Sequence, residues 1–158
     1  MVTLSQFLEP DAVMLNMAAT CAEDVIRALG SVLCERGYVK DNFVEATLAR
    51  EAKTPTGIPL AGEVNAALPH VEPEYVDRPA LALATLKGPV TFRNMVTPDE
   101  EVPVRLVIML ALNEGQSHIE MLRQVALLLQ RPEIIGKIVA ATTPDEVFEI
   151  LNELGELE

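Results

Sequence analysis

The sequence predicts an α/β fold: a single three-layer domain over 1–158, with a mixed β-sheet covered by helices on both faces. Three observations predict it. Apolar stripes at helical spacing follow capping signals at several places along the chain. Nearly continuous apolar runs lie among them, as expected of strands buried on both faces. Proline and glycine punctuate the boundaries. A chain of 158 residues suffices for one sizeable core and is short for two.

The elements follow in order. The opening stretch MVTLSQFLEPDAVMLNM lacks the positive n-region of a signal peptide. Thr20 and Glu23 have the spacing of a capping box ahead of Val25, Ile26, Leu29, Val32 and Leu33, and Gly37 ends that helix. Asn42 and Glu45 repeat the pattern for a second helix that runs through Val44, Leu48 and Arg50. TPTGIPLAGE (54–63) reads as a loop, and AALP (66–69) as a short strand leading into His70. ALALATL (80–86) reads as a strand bounded by Pro79 and Gly88, and PVTF (89–92) as its return after a Lys87-Gly88 turn. MVTPDEEVP (95–103) is a loop before VPVRLVIMLAL (102–112), the expected central strand. Ser117 and Glu120 open a helix with Ile119, Leu122, Ala126 and Leu129 on its stripe. A short helix is expected at 132–140. Thr143, Pro144 and Glu146 open the last, with Val147, Ile150, Leu151 and Leu154.

Composition narrows the function. Hydrophobic residues make up 49% and charged residues 23%, which is globular. A formal net charge of −12 repels phosphate backbones and anionic membrane surfaces, so neither nucleic acid nor a membrane is an expected partner. It suits a basic protein partner. No run approaches the roughly 20 apolar residues that cross a bilayer. A cytoplasmic location is expected, with Cys21 and Cys34 as free thiols. On one helix they would stand about 20 Å apart, too far for a disulfide. No metal-ligand pattern, Walker loop or kinase motif is present, and no cofactor is expected.

The chain has only two histidines. His70 closes a short strand where a turn begins, and strand ends in open α/β sheets are where sites gather. Pro69 stiffens the approach, and Glu72 and Glu74 follow closely. His118 sits just inside a helix start, where free N–H groups favour an anion. Each alone reads more readily as an ordinary surface histidine. Together they suggest a nucleophile beside an anion site, because a neutral imidazole attacks phosphorus without a separate base. Arg50 is a candidate clamp, since a guanidinium fork matches phosphate oxygens. With no nucleotide site, the phosphate has to come from another protein.

LAREAKTPTGIPL (48–60), AALPHVEPEYV (66–76), LKGPVTFRNM (86–95), VRLVIMLAL (104–112) and SHIEML (117–122) carry a resemblance. The chain resembles the enzyme IIA component of the bacterial phosphoenolpyruvate-dependent sugar phosphotransferase system, fructose/mannitol/galactitol type. PTGIP, PEYV and VTF before an Asn-Met pair are most similar to the galactitol-type branch. The resemblance implies a mixed sheet between helices and a phosphoryl carrier. It implies phosphate acceptance from HPr, transfer to a cysteine of enzyme IIB, and an indirect link to the membrane IIC transporter. The phosphorylated histidine of the family falls on His70, its second active-site histidine on His118 and its arginine on Arg50. A glutamate ahead of the PH motif falls on Glu63, and Ser117 is expected to support the phosphate site. Val71 departs from the glycine or threonine of relatives and leads us to expect altered backbone donors to the phosphate. The alternative is a regulatory protein of the same fold, which binds targets according to His70 phosphorylation.

Overall fold

The computed structural model describes residues 3–113 and 116–156, with the side chains of 116, 117, 155 and 156 outside that description. One five-stranded mixed sheet has the order β1-β4-β5-β3-β2. Its strands are β1 (Leu8–Met17), β2 (Gly57–Ile58), β3 (Asn65–Ala67), β4 (Ala80–Arg93) and β5 (Glu101–Ala111). β1 runs parallel to β4, β4 antiparallel to β5, β5 parallel to β3, and β3 antiparallel to β2.

Alternation along the strands assigns the two faces. Ala82, Ala84, Leu86, Val107, Met109 and Ala111 face a layer made by α2 (Ala22–Glu35) and α3 (Phe43–Lys53). Leu81, Leu83, Leu106, Ile108 and Leu110 face α4 (Gln116–Leu129), α5 (Pro132–Ala140) and α6 (Pro144–Glu156), with the short α1 (Leu4–Phe7) beside them. Every residue from Leu106 to Ala111 is at most 4% exposed, as a central strand requires. Fully burying one aliphatic side chain stabilises a fold by about 1.5–3 kcal/mol, so β5 is its main apolar anchor.

Three local expectations are corrected. Residues 80–93 are one strand, not a hairpin. The register with β5 slips between Thr85 and Val90, and residues 86–89 form an exposed-tipped bulge instead of a turn. Arg105 closes it from the neighbouring strand, donating through Nε and Nη2 to the Leu86 carbonyl at 3.2 and 3.1 Å. The first capping box is shifted: Cys21 is the N-cap of α2, and Asp24, not Glu23, accepts hydrogen bonds from the Thr20 N–H and hydroxyl. Those bonds hold the Asp24 carboxyl below its ordinary value. At α3 the Asn42 side chain makes no cap bond, and Glu45 pairs with Arg27 of α2 instead. The Thr143–Glu146 cap on α6 is present.

Two pieces of backbone bring the loops to the sheet end. Gly57 lies so close to β4 that a Cβ there would stand 2.6 Å from the Arg93 carbonyl oxygen. The PTG glycine is therefore set by close backbone approach. Beyond β3 the chain keeps pairing with β5 in isolated form: His70 bridges Leu110, whose N–H donates to the Pro69 carbonyl at 3.0 Å. His70 thus stands at the carboxyl end of two parallel strands.

Candidate functional site

A depression of about 210 Å³ opens at that sheet end. Val71, Pro73, Leu110 and Leu112 supply apolar walls, and Arg50, His70, Glu72 and His118 supply its polar groups. The sequence separates these residues widely; α3, the extension of β3, the end of β5 and the start of α4 bring them together.

His70 is half-buried and its ring is pinned. Nδ1 lies 2.7 Å from the Leu68 carbonyl oxygen. A carbonyl only accepts, so Nδ1 carries the proton and Nε2 keeps the lone pair. Pro69, buried, has a fixed φ and holds the segment extended. Val71 on the other side is 6% exposed and packs into the α2/α3 layer. Its backbone has no positive φ; among the described non-glycine residues only Asn16 has one. The branched side chain is therefore an anchor for the histidine and imposes no strain.

Arg50 sits in the last turn of α3. Its Nη1 donates to Glu72 Oε1 at 2.9 Å, with the arginine side chain 31% and the glutamate 51% exposed. The Arg50 Nε is buried and has no hydrogen-bond partner among the described residues. His118, the third residue of α4, has a buried Nδ1 in the same condition. Buried polar groups are normally paired, because an unmade bond costs about 1–3 kcal/mol. Both residues line the one cavity, which makes it the candidate site for a ligand that accepts hydrogen bonds. Immediately after His118, Ile119 is 58% exposed, and one turn on Leu122 is 40% exposed. They leave an exposed apolar pair on α4, the helix whose start carries His118.

Glu63 is not part of this cavity. It is exposed and lines a separate depression with Pro132 and Gly136 of α5. The reason is local: Gly62 packs against Pro132, so the chain before β3 turns toward α5 and away from the histidines. The side chain of Ser117 lies outside the described residues. Glu72, next to the PH motif, was the missed member; its separation from Arg50 in sequence gave no sign that the two would pair.

A larger depression of about 380 Å³ lies among α2, α3 and β4 and holds no histidine. Its half-buried acid, Glu51, is satisfied: both carboxylate oxygens accept from Thr56, one from the N–H and one from the hydroxyl, each at 2.8 Å. Burial pushes the Glu51 carboxyl above its ordinary value, against those two bonds. No group of three or more potential metal ligands occurs among the described residues.

Fold and cavity define a small α/β/α domain with two histidines and an arginine around a depression at a strand end. The chain belongs to the family described as phosphoenolpyruvate-dependent sugar phosphotransferase system, EIIA 2, whose model matches residues 6–154. This is a family of phosphotransferase components. The chain is 34% identical over 160 residues to the PTS system 2-O-alpha-mannosyl-D-glycerate-specific EIIABC component of Escherichia coli K12, covering 98% of this chain and 23% of that protein. It is 32% identical over 116 residues to the galactitol-specific EIIA component of the same strain, covering 73% and 76%. Among solved structures, the complex of enzyme IIA mannitol with phosphorylated enzyme IIB mannitol from E. coli matches with a TM-score of 0.75 at 27% identity, over 92% of this chain and 97% of that one. Other relatives have fructose- or mannitol-specific names, and the chain spans about a quarter of the length of the first two relatives. None of the helices, among the described residues, is long and apolar enough to cross a membrane.

Proposed function

We propose that the domain over 1–158 is a phosphoryl carrier in sugar uptake, with His70 Nε2 as the atom that is phosphorylated. One observation carries the reading: the Leu68 carbonyl reserves the lone pair of His70 for Nε2, in a cavity that Arg50 and His118 also line.

The chemistry follows from those atoms. Nε2 attacks the phosphorus of a phosphohistidine on HPr. The new P–Nε2 bond forms as the donor P–N bond breaks, and the donor imidazole keeps the electron pair. Nδ1 keeps its proton throughout, and the Leu68 carbonyl stabilises the positive ring that results. That positive charge also makes His70 a better leaving group in the second step. There a cysteine thiolate of enzyme IIB attacks phosphorus, the S–P bond forms and the electron pair returns to Nε2. Arg50 and His118 donate to the equatorial oxygens while charge moves over them.

The partners suit the surface. Ile119 and Leu122 offer a small docking patch, and the net charge of −12 steers a basic partner. The IIB-bound relative supports IIB as acceptor. We assign the membrane IIC component as next in line and the cytoplasm as the compartment. Galactitol-type specificity is one of several that the relatives' names span; we assign the choice of sugar to the membrane component.

The test is intact mass after incubation with phosphoenolpyruvate, enzyme I and HPr. One acid-labile phosphate on the wild type and none on His70→Ala is expected. Equal labelling of the variant would remove His70 from its role.

A further inference from the structure

We propose that Glu72 is the resting counter-ion of Arg50, displaced when His70 is phosphorylated, so that it sets how firmly the domain keeps its phosphoryl group. This rests on the carrier reading above. Arg50 Nη1 and Glu72 Oε1 are 2.9 Å apart, and both residues line the cavity that holds His70. A carboxylate and a phosphoryl dianion compete for one guanidinium, and they repel each other within so small a space. One of them has to leave.

The geometry indicates which. Glu72 is the N-cap of a single 3-10 turn over Pro73–Tyr75, and the Tyr75 N–H donates to its carbonyl at 3.2 Å. Its backbone is thus fixed, while its side chain is half-exposed and can swing into water. Arg50 is the more buried partner, and its Nε, unpaired among the described residues, stays inside. Glu72 therefore yields and Arg50 remains.

Two consequences follow. The resting carboxylate keeps free anions off Arg50, whereas a phosphoryl group joined to His70 wins through its high local concentration. Reforming the Arg50–Glu72 pair when the phosphoryl group leaves favours onward transfer. Glu72 is thus a positioning residue acting through Arg50.

The experiment compares wild type, Glu72→Gln and Glu72→Asp. The first readout is the equilibrium between phosphorylated HPr and each protein, by intact mass. The second is titration with inorganic phosphate, followed by the histidine ring NMR signals. A partly exposed ion pair of this kind predicts that Glu72→Gln shifts the equilibrium toward the phosphorylated form by about three- to tenfold. It also predicts tighter binding of inorganic phosphate, with Glu72→Asp nearer the wild type in both. An unchanged equilibrium and unchanged phosphate affinity in Glu72→Gln, with wild type phosphorylated normally, would overturn the role of Glu72 alone. Failure of the wild type to take phosphate from a competent HPr would overturn the carrier reading and this role with it.

Discussion

Arg50 and Glu51 are neighbours on α3 with opposite fates. Glu51 turns toward the cleft under α2, where both its oxygens are taken by Thr56. Arg50 turns toward His70, keeps one ion pair at its tip and leaves its buried Nε without a partner among the described residues. One helix turn thus contains a polar group completed by the fold and one left incomplete. The difference teaches where to look for chemistry. A satisfied buried group holds the structure together, and an unsatisfied one awaits something that arrives later. The larger cavity belongs to the first kind and the smaller one to the second.

The sharpest way to break that contrast is Arg50→Ala. Loss of one preorganised donor to the transferring group predicts a fall of about 10²–10³ in the single-turnover rate of phosphoryl transfer. The urea midpoint should barely move, and rapid quench with unfolding curves would check both. A variant that transferred normally, or that unfolded, would cancel the distinction. His118→Ala is expected to slow transfer by about 10- to 100-fold, the worth of one hydrogen bond to a charged group, again with stability kept.

On the other side of the contrast, Glu51→Ala leaves two Thr56 donors without an acceptor. It should destabilise the domain by about 1–3 kcal/mol in urea unfolding, while the folded fraction transfers phosphate at the normal rate. Gly57→Ala is expected to act in the same way. Its Cβ would meet the Arg93 backbone, and overpacking of that kind costs about 1–3 kcal/mol.

The smallest effect concerns pH. Burial raises the Glu51 carboxyl above its unfolded value, so the native state binds that proton more tightly. The resulting stability is present below the unfolded value and is lost as pH rises through the folded one. Relative to Glu51→Gln, the wild type should therefore lose stability as pH climbs from the ordinary glutamate range upward. A difference curve flat across that range would show that the carboxyl is not raised.

Much of the fold was legible because local rules and tertiary packing agree there. The stripes of α2 and α6 and the apolar run of β5 read correctly, and α5 lies on its expected bounds. The stripe expected on α4 is wrong: Ile119, Leu122 and Ala126 are exposed, and Met121, Val125 and Leu128 face the core instead. β1 was missed. Pro10 and the acids around it speak against a strand, and pairing along the edge of β4 overrides them. The Lys87-Gly88-Pro89 turn signal was real but became a bulge, because β5 continues past it and Arg105 closes the gap.

The site was legible residue by residue and illegible as an arrangement. His70, His118 and Arg50 stood out by type and motif, but nothing local tells that α3 and α4 converge on the end of β3. Glu63 looked close in sequence and turns to α5, whereas Glu72 looked incidental and meets Arg50. A half-exposed ion pair between distant elements leaves no periodic trace in a sequence.

The most direct test of the account is a long-range nitrogen–proton NMR spectrum of the histidine rings, before and after phosphorylation. The account predicts His70 with its proton on Nδ1 at rest and the phosphoryl group on Nε2 afterwards, with Nδ1 still bonded to its carbonyl. A resting proton on Nε2, or phosphate on Nδ1 or on His118, would contradict it.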